Sequence, residues 1–128
     1  MALRDQLKVM VVDDMSTSRG LILQALDAMG IRQVGYATDG AGALAILEKT
    51  PVHLVISDYN MPGMDGLQLL QALRKNPKTA RSGFILITGR ADKTIIETGK
   101  KLGMNNFIKK PFTPPDLRSC IEAVVGRL

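Results

Sequence analysis

The chain has 128 residues, 45% hydrophobic and 23% charged, a balance that excludes wholesale disorder and suits one domain able to bury a core without disulfide or metal staples. Its net charge is +5; a single cysteine, Cys120, permits no internal disulfide, and a single histidine, His53, excludes a His/Cys metal cage, so any metal must be held by oxygen. No apolar run approaches the ~18 residues of a membrane span and residues 1–5 lack the apolar core of a signal peptide, which leads us to expect a cytoplasmic, reducing location.

Two kinds of segment alternate along the chain. Apolar or β-branched runs occupy residues 7–12, 34–38, 52–57, 84–88 and 107–109. The first, third and fourth are too continuously apolar for a strand with one wet face and read as strands buried on both sides of a parallel sheet. Each run is followed by a segment of helical period. Ile22, Ala25, Leu26 and Met29 form the first stripe, stopped by Gly30, and Ala41, Leu44, Ala45 and Leu47 form the second, closed before Pro51. Leu67, Leu70 and Leu73 make a third ending before Asn76-Pro77. Ile95, Ile96 and Leu102 make a weaker fourth, since Gly99 inside it costs up to ~1 kcal/mol relative to alanine. Leu117, Ile121, Val124 and Leu128 form the last, entered through Thr113-Pro114-Pro115-Asp116, whose prolines suit a first turn. Five strand-then-helix units predict an α/β fold with right-handed crossovers: a flavodoxin-like, doubly wound five-stranded parallel sheet of order 2-1-3-4-5 with its site at the carboxyl ends of the strands.

Asp13-Asp14, Asp58, Thr88 and Lys110 stand at those ends. In a parallel sheet they share one edge, so three carboxylates, a hydroxyl and an ammonium meet in one cleft. Carboxylates so close resist ionisation unless a cation compensates, and an oxygen-only set with a demand for a hard ion favours Mg²⁺. Such a cluster can stabilise the equatorial oxygens of a phosphoryl group in transfer, and a carboxylate can be the nucleophile, giving an acyl phosphate. Asp58, on the central run between the paired acids and the Thr/Lys side, is the best candidate.

Four ordered motifs carry a resemblance: Val11-Val12-Asp13-Asp14, the stretch from Ser57-Asp58-Tyr59-Asn60 through Met61-Pro62-Gly63-Met64-Asp65-Gly66, Ile87-Thr88-Gly89, and Phe107-Ile108-Lys109-Lys110-Pro111-Phe112. From about Lys8 onward the chain resembles a response-regulator receiver domain, of the single-domain chemotaxis type typified by CheY, which would make residues 1–128 one receiver domain. The resemblance implies that Asp58 is the phosphoacceptor and that Asp13, Asp14 and Asp58, with the backbone carbonyl of Asn60, hold Mg²⁺. Lys110 would contact the phosphoryl oxygens and precede a cis peptide to Pro111. Thr88 would swing toward the phosphoryl group and Phe107 would rotate inward after it, a two-state element biased by one charge change. The implied partners are a CheA-type histidine kinase and a flagellar motor switch protein or another acidic target, with the chain itself a monomer.

Departures accompany the resemblance. Phe107 stands where the family most often has Tyr or another aromatic, Gly89 where alanine or another small residue is usual, and Arg90 where the family varies and an acid or amide can orient hydrolytic water. Asn106 replaces a frequent glycine, asparagine being the next best residue for a left-handed conformation. Met15, Met61 and Met64 are candidates for the rim of the cleft. His53 reads as a strand residue and Cys120 as packing.

Charge is unevenly spread. Residues 1–73 carry five basic and eight acidic side chains, and residues 74–110 carry ten basic and two acidic. With 4% aromatics and no tryptophan a stacking platform for nucleic acid is not expected, and the basic stretch reads either as a solvated surface or as a docking face for an acidic protein. Two other functions stay open: a phosphate sink without motor binding, and a Mg²⁺-dependent hydrolase acting through an aspartyl phosphate. Enzymes of the latter kind carry a D-x-D pair with the nucleophile after the first strand, unlike the adjacent acids here.

Overall fold

A computed structural model describes residues 2–89 and 92–128. Their elements run α1 (Leu3–Gln6), β1 (Lys8–Val12), α2 (Ser16–Ala28), β2 (Gln33–Ala37), α3 (Gly40–Lys49), β3 (Leu54–Asp58), α4 (Gly66–Lys75), β4 (Gly83–Thr88), α5 (Lys93–Leu102), β5 (Asn106–Lys109) and α6 (Pro114–Val125). All strand pairs are parallel and the order is β2-β1-β3-β4-β5, the doubly wound arrangement expected from the sequence.

The period-2 alternation of the strands divides the core in two. Val9 and Val11 of β1 join Leu54, Ile56, Ile85 and Ile87 against Ile22 and Leu26 of α2 and Leu117 and Ile121 of α6. Met10 and Val12 turn the other way, with Val55, Phe84 and Leu86, against Ala43 and Leu47 of α3 and Leu69, Leu70 and Leu73 of α4. Every residue of β3 is buried, which is why that run is apolar up to Ser57-Asp58. Asp65 caps α4 in a reciprocal capping box with Gln68, and Thr113 does the same for α6 with Asp116, behind prolines in the first turn.

The structure departs from the sequence expectations at several points. The four-residue α1 is too short to carry a periodic signal in the sequence, and it takes Leu7 out of the first strand. The last helix stops at Val125 because Gly126 takes φ +97°. Leu128 lies beyond it yet still packs against the first core cluster. In α3 the buried positions are Gly40, Ala43 and Leu47, whereas Ala41 and Ala45 are exposed, since small residues mark a helix face poorly. Among the described residues no non-glycine takes positive φ. Asn106 is therefore not left-handed but a strand residue, its amide donating to the Cys120 carbonyl and its side-chain oxygen accepting the Phe107 N–H. Gly99 is buried directly against Met104, which accounts for a glycine inside α5. His53 is exposed just ahead of β3, its Nδ1 accepting the Lys8 N–H at 3.0 Å. Among the described residues no helix is long and apolar enough to cross a membrane.

Candidate functional site

The register of the central strands sets the site. Val12 lies level with Ser57, and Asp58 with Ile87, so β1 and β3 deliver Asp13 and Asp58 to the same sheet edge. The ends are pinned by the backbone: the Tyr59 N–H donates to the Ile87 carbonyl (2.8 Å) and the Lys110 N–H to the Thr88 carbonyl (2.8 Å), carrying the ladder one step past β3 and β5. Gly66 seats α4 directly on the end of β3, its N–H donating to the Tyr59 carbonyl (2.9 Å). A Cβ there would come within 2.6 Å of the Asp58 carbonyl oxygen, so only glycine permits this approach.

Asp13, Asp14 and Asp58 each offer a carboxylate oxygen, all within 4.8 Å of one another. Asp13 is fully buried and Asp58 nearly so, whereas Asp14 is exposed. Lys110 reaches in from beyond β5, its Nζ 3.5 Å from Asp58 Oδ2 and 3.9 Å from Asp13 Oδ2. Both separations exceed those of a tight charge-assisted hydrogen bond. Asp13 Oδ1 accepts the Met15 N–H (3.0 Å), while its Oδ2 is buried without a hydrogen-bond partner among the described residues. Burial is the main cause holding the Asp58 carboxyl above its ordinary pKa; Lys110 opposes it, and Asp13 and Asp14 reinforce it.

Three carboxylates facing one ammonium are under-neutralised, and a buried carboxylate oxygen without a hydrogen-bond donor is costly unless a cation takes it. Both observations suit a hard divalent ion with oxygen ligands. Thr88, buried, closes β4 beside this cluster, level with Lys109. Phe107 pairs with Leu86, two residues before Thr88, and is half-buried against the second core cluster, so the two side chains share one sheet face on adjacent strands. The Lys110–Pro111 peptide is cis, as the resemblance implied. Asn60 is exposed two residues beyond Asp58. Of the proposed rim, Met15 is exposed, Met64 half-buried against Gly40, and Met61 buried in the core rather than lining a cleft. Arg90 lies outside the described residues. Along α2 and the segment after β5 runs an open, mostly apolar groove of about 910 Å³ with Met15, Leu21, Lys110, Pro111 and Phe112 in its walls, and it shares Lys110 with the notch.

Sequence reading passed over Arg19, whose Nη1 donates to the Asp13 carbonyl at 2.9 Å and whose guanidinium lies 5.0 Å from the centroid of the Tyr36 ring. No motif announces it; the signal is a lone arginine in the first turn after the paired acids.

Fold and site together define a doubly wound α/β domain with an acidic, cation-demanding notch where the strand order reverses. The response regulator receiver domain model matches residues 9–122, and the chain belongs to that family. It is 44% identical over 128 residues to the probable chemotaxis protein CheY of Rhizobium etli, covering 100% of this chain and 99% of the relative. It is 39% identical over 121 residues to a chemotaxis protein CheY homolog of Campylobacter jejuni, covering 94% and 93%. Among solved structures it is similar to the Vibrio cholerae chemotaxis protein CheY4, with TM-score 0.87, 30% identity and coverage of 92% and 98%.

Proposed function

We propose that the chain is a phosphorylation-activated regulator of a two-component chemotaxis system, with Asp58 as phosphoacceptor. The observation that carries this reading is the cluster itself: three carboxylate oxygens within 4.8 Å, with Lys110 Nζ 3.5 Å from Asp58. Asp13, Asp14 and Asp58, with the Asn60 backbone carbonyl, would hold Mg²⁺, which when bound neutralises charge on the transferring phosphoryl group. The chain's own residues do the rest. Asp58 Oδ attacks the phosphorus of a phosphohistidine on a CheA-type kinase; the P–N bond breaks as the P–O bond forms, and the electron pair returns to the imidazole. Lys110 supplies a fixed positive charge to the phosphoryl oxygens, and Thr88 offers a hydroxyl donor. Thr88 and Phe107 share a sheet face on neighbouring strands, which supports their coupling as a switch. Output is binding, as a cytoplasmic monomer, to a flagellar switch protein or another acidic target; the chemistry performed is the chain's own phosphorylation and dephosphorylation rather than turnover of a separate substrate.

Mass spectrometry after incubation with acetyl phosphate and Mg²⁺ tests this reading. One added phosphoryl group is expected, absent in Asp58→Asn and absent without Mg²⁺. Label persisting in Asp58→Asn would move the acceptor elsewhere and defeat the assignment. Binding to the flagellar switch protein, with and without beryllofluoride, separates an effector from a phosphate sink.

A further inference from the structure

Asp13 is held at its main-chain N–H, its main-chain carbonyl and one carboxylate oxygen. Its N–H donates to the Ala37 carbonyl of β2 (3.2 Å), its Oδ1 accepts the Met15 N–H, and its carbonyl accepts Arg19 Nη1 at 2.9 Å. These bonds leave Oδ2, buried and beyond tight bonding distance of Lys110, as the oxygen turned to the notch. Arg19 reaches back from α2, half-buried, with its guanidinium over the ring of Tyr36, an exposed β2 residue level with Val11 of β1. An exposed aromatic at that edge has no core to serve; its ring gives the guanidinium a flat apolar and electrostatically attractive seat.

We infer that Arg19, seated on Tyr36, is a positioning residue that fixes the Asp13 main chain so that its free carboxylate oxygen is presented to a divalent cation. It touches neither the cation nor the phosphoryl group and acts through Asp13, as outer partners orient ligands in metal sites generally. The inference rests on the proposed Mg²⁺ reading of the same notch.

Its sign separates it from plain electrostatics. Deleting a positive charge near a cation site should tighten Mg²⁺ binding by Coulomb's law alone; deleting a positioning contact should weaken it. The experiment is calorimetric titration of the full chain with MgCl₂, paired with thermal melts and with acetyl-phosphate phosphorylation as a function of Mg²⁺. Arg19→Met is expected to weaken Mg²⁺ about tenfold. Its phosphorylation rate at saturating Mg²⁺ stays near that of the parent, and Arg19→Lys, which keeps a donor and a cation on the ring, recovers most of the loss. Tyr36→Leu, which changes no formal charge, is expected to weaken Mg²⁺ binding in the same direction but by less than Arg19→Met does, and its exposed position keeps the test open if Arg19→Met folds poorly. Unchanged or tighter Mg²⁺ binding in Arg19→Met or Tyr36→Leu, including a fall in melting temperature alone, overturns the inference. A parent chain that takes up no Mg²⁺ overturns the site reading, and this inference with it.

Discussion

Asp58 holds its charge in an unfavourable place. It is nearly buried, close to two other carboxylates, and its pKa is raised relative to the unfolded chain. A carboxyl raised on folding contributes stability below the ordinary carboxylate range, and that contribution is lost as pH rises through the raised value. Without metal, Asp58→Asn should therefore raise the melting temperature at pH 7 by about 3–5 °C, on the order of 1 kcal/mol for a chain of this size. The gain should shrink below about pH 4, where both states are protonated. Melts in chelator at the two pH values check this, and an Asn variant no more stable than its parent at pH 7 refutes it. The residues that gather here were readable because each stands at the carboxyl end of an apolar run, where topology supplies the third dimension. Arg19 was not, since it works through a backbone carbonyl and a ring on another strand, contacts that leave no periodic trace.

Glycines separate two kinds of element-level constraint. At Gly66, the first residue of α4, a Cβ would lie 2.6 Å from the Asp58 carbonyl oxygen and 3.0 Å from Tyr59 Cα, backbone atoms that cannot step aside. Gly66→Ala is expected to cost about 2–3 kcal/mol in urea unfolding and to slow phosphorylation by displacing the end of β3. A fully stable, fully active variant would mean that α4 does not set the position of Asp58. In the Gly63-Met64-Asp65-Gly66 stretch Gly63 turns the chain at φ +77° and Asp65 caps α4; the close approach at Gly66 needed coordinates. Gly20, in the interior of α2, has open space around its Cα, so Gly20→Ala should gain about 0.5–1 kcal/mol by helix propensity. Misplaced element ends have equally local causes. A four-residue helix is shorter than the window that reveals a period, and the last apolar stripe runs through Gly126 to Leu128 although the helix does not.

Over the whole molecule the basic stretch of residues 74–110 is the dominant charge feature, and the structure sorts its members. Arg74 is not surface charge: its guanidinium donates to the carbonyls of Ala80, Ser82 and Gly103 and to Asn105 Oδ1, tying α4 to the far end of α5. Lys110 is spent in the notch. Lys75, Lys78, Arg81, Lys93, Lys100, Lys101 and Lys109 are exposed, and the last four lie on α5 and β5, beyond the strand carrying Thr88. Lys93 sits 4.0 Å from Glu97 across a highly exposed pair, which neutralises little. Exposed like charges add over long range and are screened within about 8 Å at physiological ionic strength, so they act on encounter more than on residence. Association with the kinase's docking region or with an acidic switch target should therefore slow by roughly tenfold between ~0.02 and ~0.15 M salt, with a smaller change in dissociation. The double variant Lys100→Glu/Lys101→Glu, outside the notch, should show the slow rate already at low salt while still accepting a phosphoryl group from acetyl phosphate. Stopped-flow binding across that salt range decides it. Rates indifferent to salt, or a double variant that binds as fast as its parent, would leave the basic face as solvated surface with no part in recognition.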